Sequence, residues 1–584
     1  MAIDLQPAPQ SPVAPPPATA TGPDRQRLRQ LAGGVALLGG LGLITLLPVG
    51  FVVVNSFSTS PMGIGGGDWT LEAWRRAFSS SRSLEAIGYS FLLSIRIPIG
   101  IAIAFVLAWL LVRVRIPGHR FIMTALWFAF FLPILPVTLG WILLLDADYG
   151  LINELLVKLP FIDEGPFNIY SVPGIIWVHL TLSTIPIMTI LLSPALRQVD
   201  ASYEEAAQVS GAGVPRRLWR ITLPLIAPAV LTAFLAGLIR SLEVFEVEQL
   251  LGTRAGIFVY STRIYNLIRE LPPDFPQAMA LSTLFLMFLL VVAIGYQRLL
   301  RRHQGTATLT GKGMREAPPN RSGWAYAATT VIIGGLVIGV FLPFGVLLAS
   351  SFTKLFGFFF RPDPWTTEAW RVVLTSDAFA EALRNSLLLG LGAGALGTAI
   401  YFGFAWVLVR TRVAGRAVAS ILIWLPWAIP GILLGVAFLN VFTAVPGARV
   451  FFGTLVPLIV VIIIQTLPLG THMIQTSIQQ ISGELEEAAR SSGARTRQVI
   501  RRITLPLVAP MCVSVFVLVF MSAVRDISTT VLLATPGTRT LSLLMFEYAI
   551  GHRLESAAVL GVIIALLALG ITMLAMRLGL KLRL

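Results

Sequence analysis

Glu204-Glu205-Ala206-Ala207-Gln208-Val209-Ser210-Gly211 is written twice in this chain, returning as Glu486-Glu487-Ala488-Ala489-Arg490-Ser491-Ser492-Gly493. Both copies run on through arginines, Arg216, Arg217 and Arg220 in one and Arg497, Arg501 and Arg502 in the other, to an Ile-Thr-Leu-Pro that ends at Pro224 and Pro506. In each, a glycine stands six residues after the second glutamate, and the Ile-x-Leu-Pro starts ten residues after that glycine. The Glu-Ala-Ala run favours a short helix with a small-residue face, which glycine ends by accepting a left-handed backbone. Such a helix is too short and too polar to cross a bilayer. It is expected to lie on a membrane surface as an exposed knob, its alanines letting another protein approach and its glutamate offering a charge-assisted hydrogen bond.

Self-similarity continues outward from these loops. Trp69-Thr70-Leu71-Glu72-Ala73-Trp74-Arg75 returns as Trp365-Thr366-Thr367-Glu368-Ala369-Trp370-Arg371 at an offset of 296, and Ala108-Trp109-Leu110-Leu111-Val112-Arg113 returns as Ala405-Trp406-Val407-Leu408-Val409-Arg410 at 297. The glutamate loops are offset by only 282, so the first half carries about 15 extra residues, in the loop holding Asp146, Asp148, Glu154, Asp163 and Glu164.

What lies between the repeats is apolar. Of the 584 residues 55% are hydrophobic and 12% charged, with mean hydropathy +0.80, whereas soluble domains carry nearer a quarter charged residues. This argues against a soluble enzyme. A span needs about 20 apolar residues, and twelve such runs are centred near residues 43, 99, 133, 182, 233, 288, 338, 397, 429, 463, 514 and 566. Six spans per half is an even number, so both halves insert the same way up. The expectation is an all-α, multi-pass membrane protein of about 12 transmembrane helices, arranged as two parallel six-helix repeats with pseudo-twofold symmetry about the membrane normal.

Charge sets the orientation. Counting loops alternately, 27 of the 44 basic residues fall on the side that holds the N-terminus, both glutamate loops and the C-terminus. The positive-inside rule makes that side the cytoplasm. Residues 1–30 read as a disordered cytoplasmic tail, 31–300 as a first half of six transmembrane helices, 301–323 as a cytoplasmic linker and 324–584 as a second half of six. The single cysteine, Cys512, excludes a disulfide framework.

The twin loops resemble the EAA motif of the inner-membrane permeases of bacterial ATP-binding-cassette (ABC) importers, and the resemblance covers the chain after its tail as two fused permease halves. It implies the type I ABC importer permease fold in a bacterial inner (cytoplasmic) membrane. In that family the EAA helix couples to an ATPase subunit, which points to Glu205, Ala206, Ala207 and Gly211 for one ATPase copy and Glu487, Ala488, Ala489 and Gly493 for a second. It also implies an extracytoplasmic substrate-binding protein, and a chain that is itself non-catalytic, ATP and Mg being bound by the ATPase. No cofactor, metal or nucleic acid is expected. The segments Ser241–Val247 and Ser522–Ser528 look most like ferric-iron-type permeases, with polyamine, thiamine, sulfate and phosphonate importers sharing much of the pattern.

Two tempting motifs fail on chemistry. In Gly305–Gly313 five residues separate the glycines and Gly313 follows Lys312, where a phosphate loop needs four residues and a Ser or Thr. Gly392-Ala393-Gly394-Ala395-Leu396-Gly397 sits inside an apolar span, where small residues serve helix packing. The five histidines, His179 among them, show no metal-ligand spacing. Ionisable residues at membrane depth are costly, which makes Arg96, Glu243, Glu246, Arg525 and Asp526 candidates for a translocation path; the competing reading pairs them with one another. Pro98, Pro133, Pro136 and Pro430 suggest broken helices near that path. A gradient-driven secondary transporter is the alternative of another class; it calls for inverted repeats and leaves the twin loops unexplained.

Overall fold

The computed structural model describes residues 23–59, 67–303, 323–411 and 413–577. The Gly305–Gly313 stretch and most of 301–323 lie outside them. Among the described residues ten helices are long and apolar enough to cross a membrane, and two strongly bent helix pairs bring the number to twelve if each pair is one span. These match the twelve expected spans one for one. The first span's helix, Pro23–Asn55, already includes Arg25, Arg27 and Arg29, so those arginines extend the helix instead of preceding it.

The two bent pairs are the third and ninth spans. His119–Phe130 meets Ile134–Leu145 at 101°, and Arg416–Trp427 meets Gly431–Ala444 at 107°. Proline is the cause at both: Pro133 and Pro430 lack an amide hydrogen and push the preceding residue into extended backbone, as at Leu132, with ψ of 130°. Each arm packs at a different depth. His119–Phe131 lies against Ile185–Arg197 at the arginine-rich end of the fourth span, and Ile134–Leu145 against Val172–His179 at its other end.

The halves interlock. The first span packs on the bent pair of the second half, and the seventh span, Ala325–Ser350, packs on the bent pair of the first. The approach is backbone-close: Gly140 leaves no room for a Cβ against the carbonyl of Pro343, and Gly34 none against that of Ala414.

Repeated sequence gives repeated geometry down to single hydrogen bonds. Trp74 Nε1 donates to Ser56 Oγ at 3.3 Å while its ring stacks on Phe57 at 5.4 Å. Trp370 Nε1 donates to Ser351 Oγ at 3.2 Å and stacks on Phe352 at 5.4 Å. Ser90 Oγ accepts from the amide of Tyr260 at 2.8 Å, and Ser386 Oγ from that of Leu541 at 2.8 Å. The glycine pattern at 392–397 falls inside helix Asp377–Arg410. There Gly394 lies against the ring of Phe516 and Gly392 against Ile459, so these glycines serve packing.

Candidate functional site

Each glutamate loop folds as a short helix, Ala201–Val209 and Gly483–Ser491, at the arginine-rich end of the molecule. Asp200 Oδ1 caps the first by accepting from the amide of Ser202 at 2.9 Å, and Ser482 Oγ caps the second by accepting from the amide of Glu484 at 3.3 Å. Hydrogen bonds from Ser202 hold the Asp200 carboxyl below its ordinary pKa. Both helices close with a Schellman motif: the amides of Gly211 and Ala212 donate to Gln208 and Ala207, and those of Gly493 and Ala494 to Arg490 and Ala489. That closure requires the positive φ of 78° at Gly211 and 82° at Gly493. Glu205, Ala206, Glu487 and Ala488 are exposed, while Ala207 and Ala489 are half-buried.

The glutamate one residue earlier turns the other way. Glu204 Oε1 accepts from Arg113 Nε at 3.3 Å and from Thr222 Oγ1 at 3.1 Å. In the second half Glu486 Oε1 accepts from Arg410 Nε at 3.0 Å and from Thr504 Oγ1 at 3.0 Å. Each arginine is further fixed by a carbonyl ahead of the short helix, Val199 at 2.9 Å and Ile481 at 2.8 Å. The threonines are fully buried because the backbone before each fifth span widens into one π-turn, Leu218–Thr222 and Ile500–Thr504.

The membrane-depth charges are held in three different ways. Arg96 is buried and donates to Glu248 Oε1 at 3.2 Å and to the carbonyl of Ser241 at 2.9 Å; His179 Nε2 meets the same Glu248 oxygen at 2.9 Å. Glu243 pairs at 3.3 Å with Arg240, one turn earlier on its own helix. Asp526 Oδ2 accepts from the amides of Thr529 and Thr530, and from the Thr529 hydroxyl. Glu246 and Arg525 line one cavity between the halves, with Pro133 and Pro136 on one side and Ser542 and Met545 on the other. Arg525 Nη1 donates at 3.3 Å to the carbonyl of Phe130, beside the proline break in the third span. Glu246 lies within electrostatic reach of Asp526 and Glu248, and Arg525 within reach of Glu246, Asp526 and Arg240.

Sequence reading missed Glu248, the hub of the Arg96 knot, although it stands only two residues after Glu246 and is an ionisable group at membrane depth in its own right. It also missed Glu204 and Glu486, because in an exposed loop nothing separates the inward glutamate from its outward neighbour except the helix phase. Among the described residues no group of three His, Cys, Asp or Glu side chains is placed to hold a metal ion.

At the end opposite the arginine-rich one, the extra residues of the first half are pinned by side-chain hydrogen bonds. Asn153 bonds the carbonyls of Asp146 and Phe167 at 2.8 and 2.7 Å. Tyr170 donates to Asp146 Oδ2 at 3.0 Å and accepts from Arg254 at 2.6 Å. Burial, reinforced by Asp146, pushes the Tyr149 phenol up to about 12.

The model of the family described as binding-protein-dependent transport system inner membrane component matches residues 97–305 and again 395–583. The ferric transport system permease protein FbpB of Actinobacillus pleuropneumoniae is 27% identical over 88% of this chain and 74% of its own. The trehalose transport system permease protein SugB of Mycobacterium tuberculosis is 28% identical over 39% of this chain and 80% of its own. Among solved structures, a bacterial ABC transporter involved in the import of the acidic polysaccharide alginate aligns at 21% identity and a TM-score of 0.41, over 48% of this chain and 98% of that one.

Proposed function

Because the chain belongs to the family of binding-protein-dependent transport system inner membrane components, we propose that it makes the whole passage of an ATP-driven importer within one polypeptide. As an ABC importer permease it would present two docks, Glu205, Ala206, Ala207 and Gly211 on one half and Glu487, Ala488, Ala489 and Gly493 on the other, to two copies of a cytoplasmic ABC ATPase. The observation that carries this is the twin knob: two short helices with the same exposed glutamate and alanine and the same glycine closure. Docks alike in shape suit two identical partners.

The arginine distribution supports a cytoplasmic position for both termini. Cargo would arrive from an extracytoplasmic binding protein and pass between the halves, where Glu246 and Arg525 border the cavity beside the broken third span and Asp526 lies within electrostatic reach. Glu243 and Arg96 would act from its margins. Ferric iron is the proposed cargo: the ferric permease FbpB aligns over most of the chain, and carboxylates from both halves suit a hard cation.

The test is uptake into proteoliposomes holding the chain with its co-purified ATPase. Ferric iron is supplied on candidate binding proteins, with spermidine, phosphonate and trehalose as rivals. ATP-dependent iron uptake is expected. Uptake of a rival would replace the cargo, and gradient-driven uptake without ATP would overturn the mechanism.

A further inference from the structure

The outward glutamates are free to meet a partner, which leaves the inward ones, Glu204 and Glu486, without a part in docking. Their geometry gives them another. Three stretches far apart in sequence meet at one carboxylate oxygen: the end of the second span through Arg113, the short helix through Glu204, and the start of the fifth span through Thr222. The second half repeats the arrangement with Arg410, Glu486 and Thr504. Side-chain exposure is 5% and 13% for the Arg113–Glu204 pair, and 15% and 4% for Arg410–Glu486. Each arginine also grips the chain just ahead of the knob, so the knob is held at its entry as well as on its inner face.

We propose that Glu204 and Glu486 are positioning residues that bind each knob rigidly to two membrane helices at once, so that a displacement imposed on the knob moves the second and fifth spans together. The proposal rests on the reading of the knobs as ATPase docks. A knob tethered only by its flanking chain would absorb a push by flexing. A buried charge pair with a hydroxyl on the same oxygen resists this, since separating it strands a guanidinium and a carboxylate in a low-dielectric site. The π-turn has a role here as well: by widening the helix it turns Thr222 and Thr504 inward onto the glutamate. The fifth spans lead into Glu246 and Asp526 at their far ends, so the tether connects the knob with the proposed passage.

The test uses the intact complex of the chain with its ATPase, and reads two quantities: affinity for the ATPase, and the ATP-driven change in amide hydrogen exchange across residues 248–256 at the opposite end. Glu204→Ala with Glu486→Ala is expected to keep ATPase affinity within about twofold while the exchange response falls about tenfold. Glu204→Gln with Glu486→Gln, which retains the acceptor oxygen, is expected to restore most of the response. Glu205→Ala with Glu487→Ala is expected to do the reverse, releasing the ATPase. A full exchange response in the Glu204/Glu486 alanine variant, or loss of ATPase binding there, overturns the proposal. Normal ATPase binding by the Glu205/Glu487 variant instead overturns the docking reading beneath it. If the alanine variant does not fold, Thr222→Val with Thr504→Val removes one bond per knob and is expected to lower the response about threefold at unchanged affinity; no change there is equally fatal.

Discussion

At the arginine-rich end the two halves are near duplicates, and at membrane depth they are not. Glu204 and Glu486 make the same bonds to within 0.3 Å, at 3.3 and 3.1 Å in one half and 3.0 and 3.0 Å in the other. Deeper in, the second and fourth spans of the first half are joined by the Arg96–Glu248–His179 knot. The same two spans of the second half are joined by a neutral contact, Tyr401 donating to the carbonyl of Ile463 and bonding Thr466 at 2.8 Å. The second span is interrupted near Ser94 in the first half and runs unbroken from Asp377 to Arg410 in the second. The difference separates two demands. On the function proposed above, two like partners would be addressed by like surfaces, whereas one cargo between two halves would meet a single asymmetric lining.

The sharpest way to break this contrast is at the duplicated end. Charge reversal at both docks, Glu205→Lys with Glu487→Lys, is expected to abolish ATPase co-purification and uptake together, while either single reversal retains partial association. Equal single-site losses would confirm that the docks are equivalent; a strong inequality would tie function to the flanking differences at Gly213 and Arg495.

The divergent interior predicts unequal costs. Removing the guanidinium with Arg96→Ala leaves the buried Glu248 with His179 alone and is expected to cost about 3–5 kcal/mol. Tyr401→Phe removes neutral hydrogen bonds and is expected to cost about 1 kcal/mol. Thermal unfolding of both variants in detergent measures the gap, and equal shifts would make the knot no more than packing.

Smaller still is the glycine closure. Gly211 and Gly493 have open space around them, so alanine there is penalised only through its backbone, by about 1–2 kcal/mol. Gly211→Ala and Gly493→Ala are expected to raise hydrogen exchange equally in the two knobs.

The smallest effect belongs to the outer loop that only the first half elaborates. With Tyr149 pushed up to about 12 from an ordinary value of 10.0, its folded form holds the proton more tightly than the unfolded form. The stabilisation is complete below the unfolded value and is lost as pH rises from there through the folded one. Limited proteolysis across 146–171 is therefore expected to accelerate above pH about 10, and Tyr149→Phe is expected to weaken that dependence without abolishing it, because burial pushes the Tyr170 phenol up as well.

How much of this was legible in sequence follows from the range of the interactions involved. The twelve spans, the parallel repeat and the positive φ at Gly211 and Gly493 depend on composition, parity and local backbone, all of which a single sequence carries. The breaks at Pro133 and Pro430 were legible as prolines, but not their angles, which packing against other helices fixes. Glu248 pairs with Arg96 across 152 positions, and Arg525 reaches Phe130 across 395; no local pattern encodes such partners. Glu204 and Glu205 differ by 100° of helix rotation, and the anchoring Arg113 that decides which one turns inward is 91 positions away.

The interlocked first span also has a consequence in time. It touches the sixth span, Phe275–His303, but the bent pair on which it packs most extensively ends at Ala444, so after Asn55 is made some 389 further residues must be synthesised before that seat is complete. At about 5–20 residues per second, the helix stands in lipid without its seat for roughly 20–80 s. Its apolar character, with a mean hydropathy of 2.4 and 28% of its window buried, suits a helix that is stable in lipid before it is stable in protein. Chain order and packing order therefore differ here: a span made early completes its packing only when a much later pair of helices has been made.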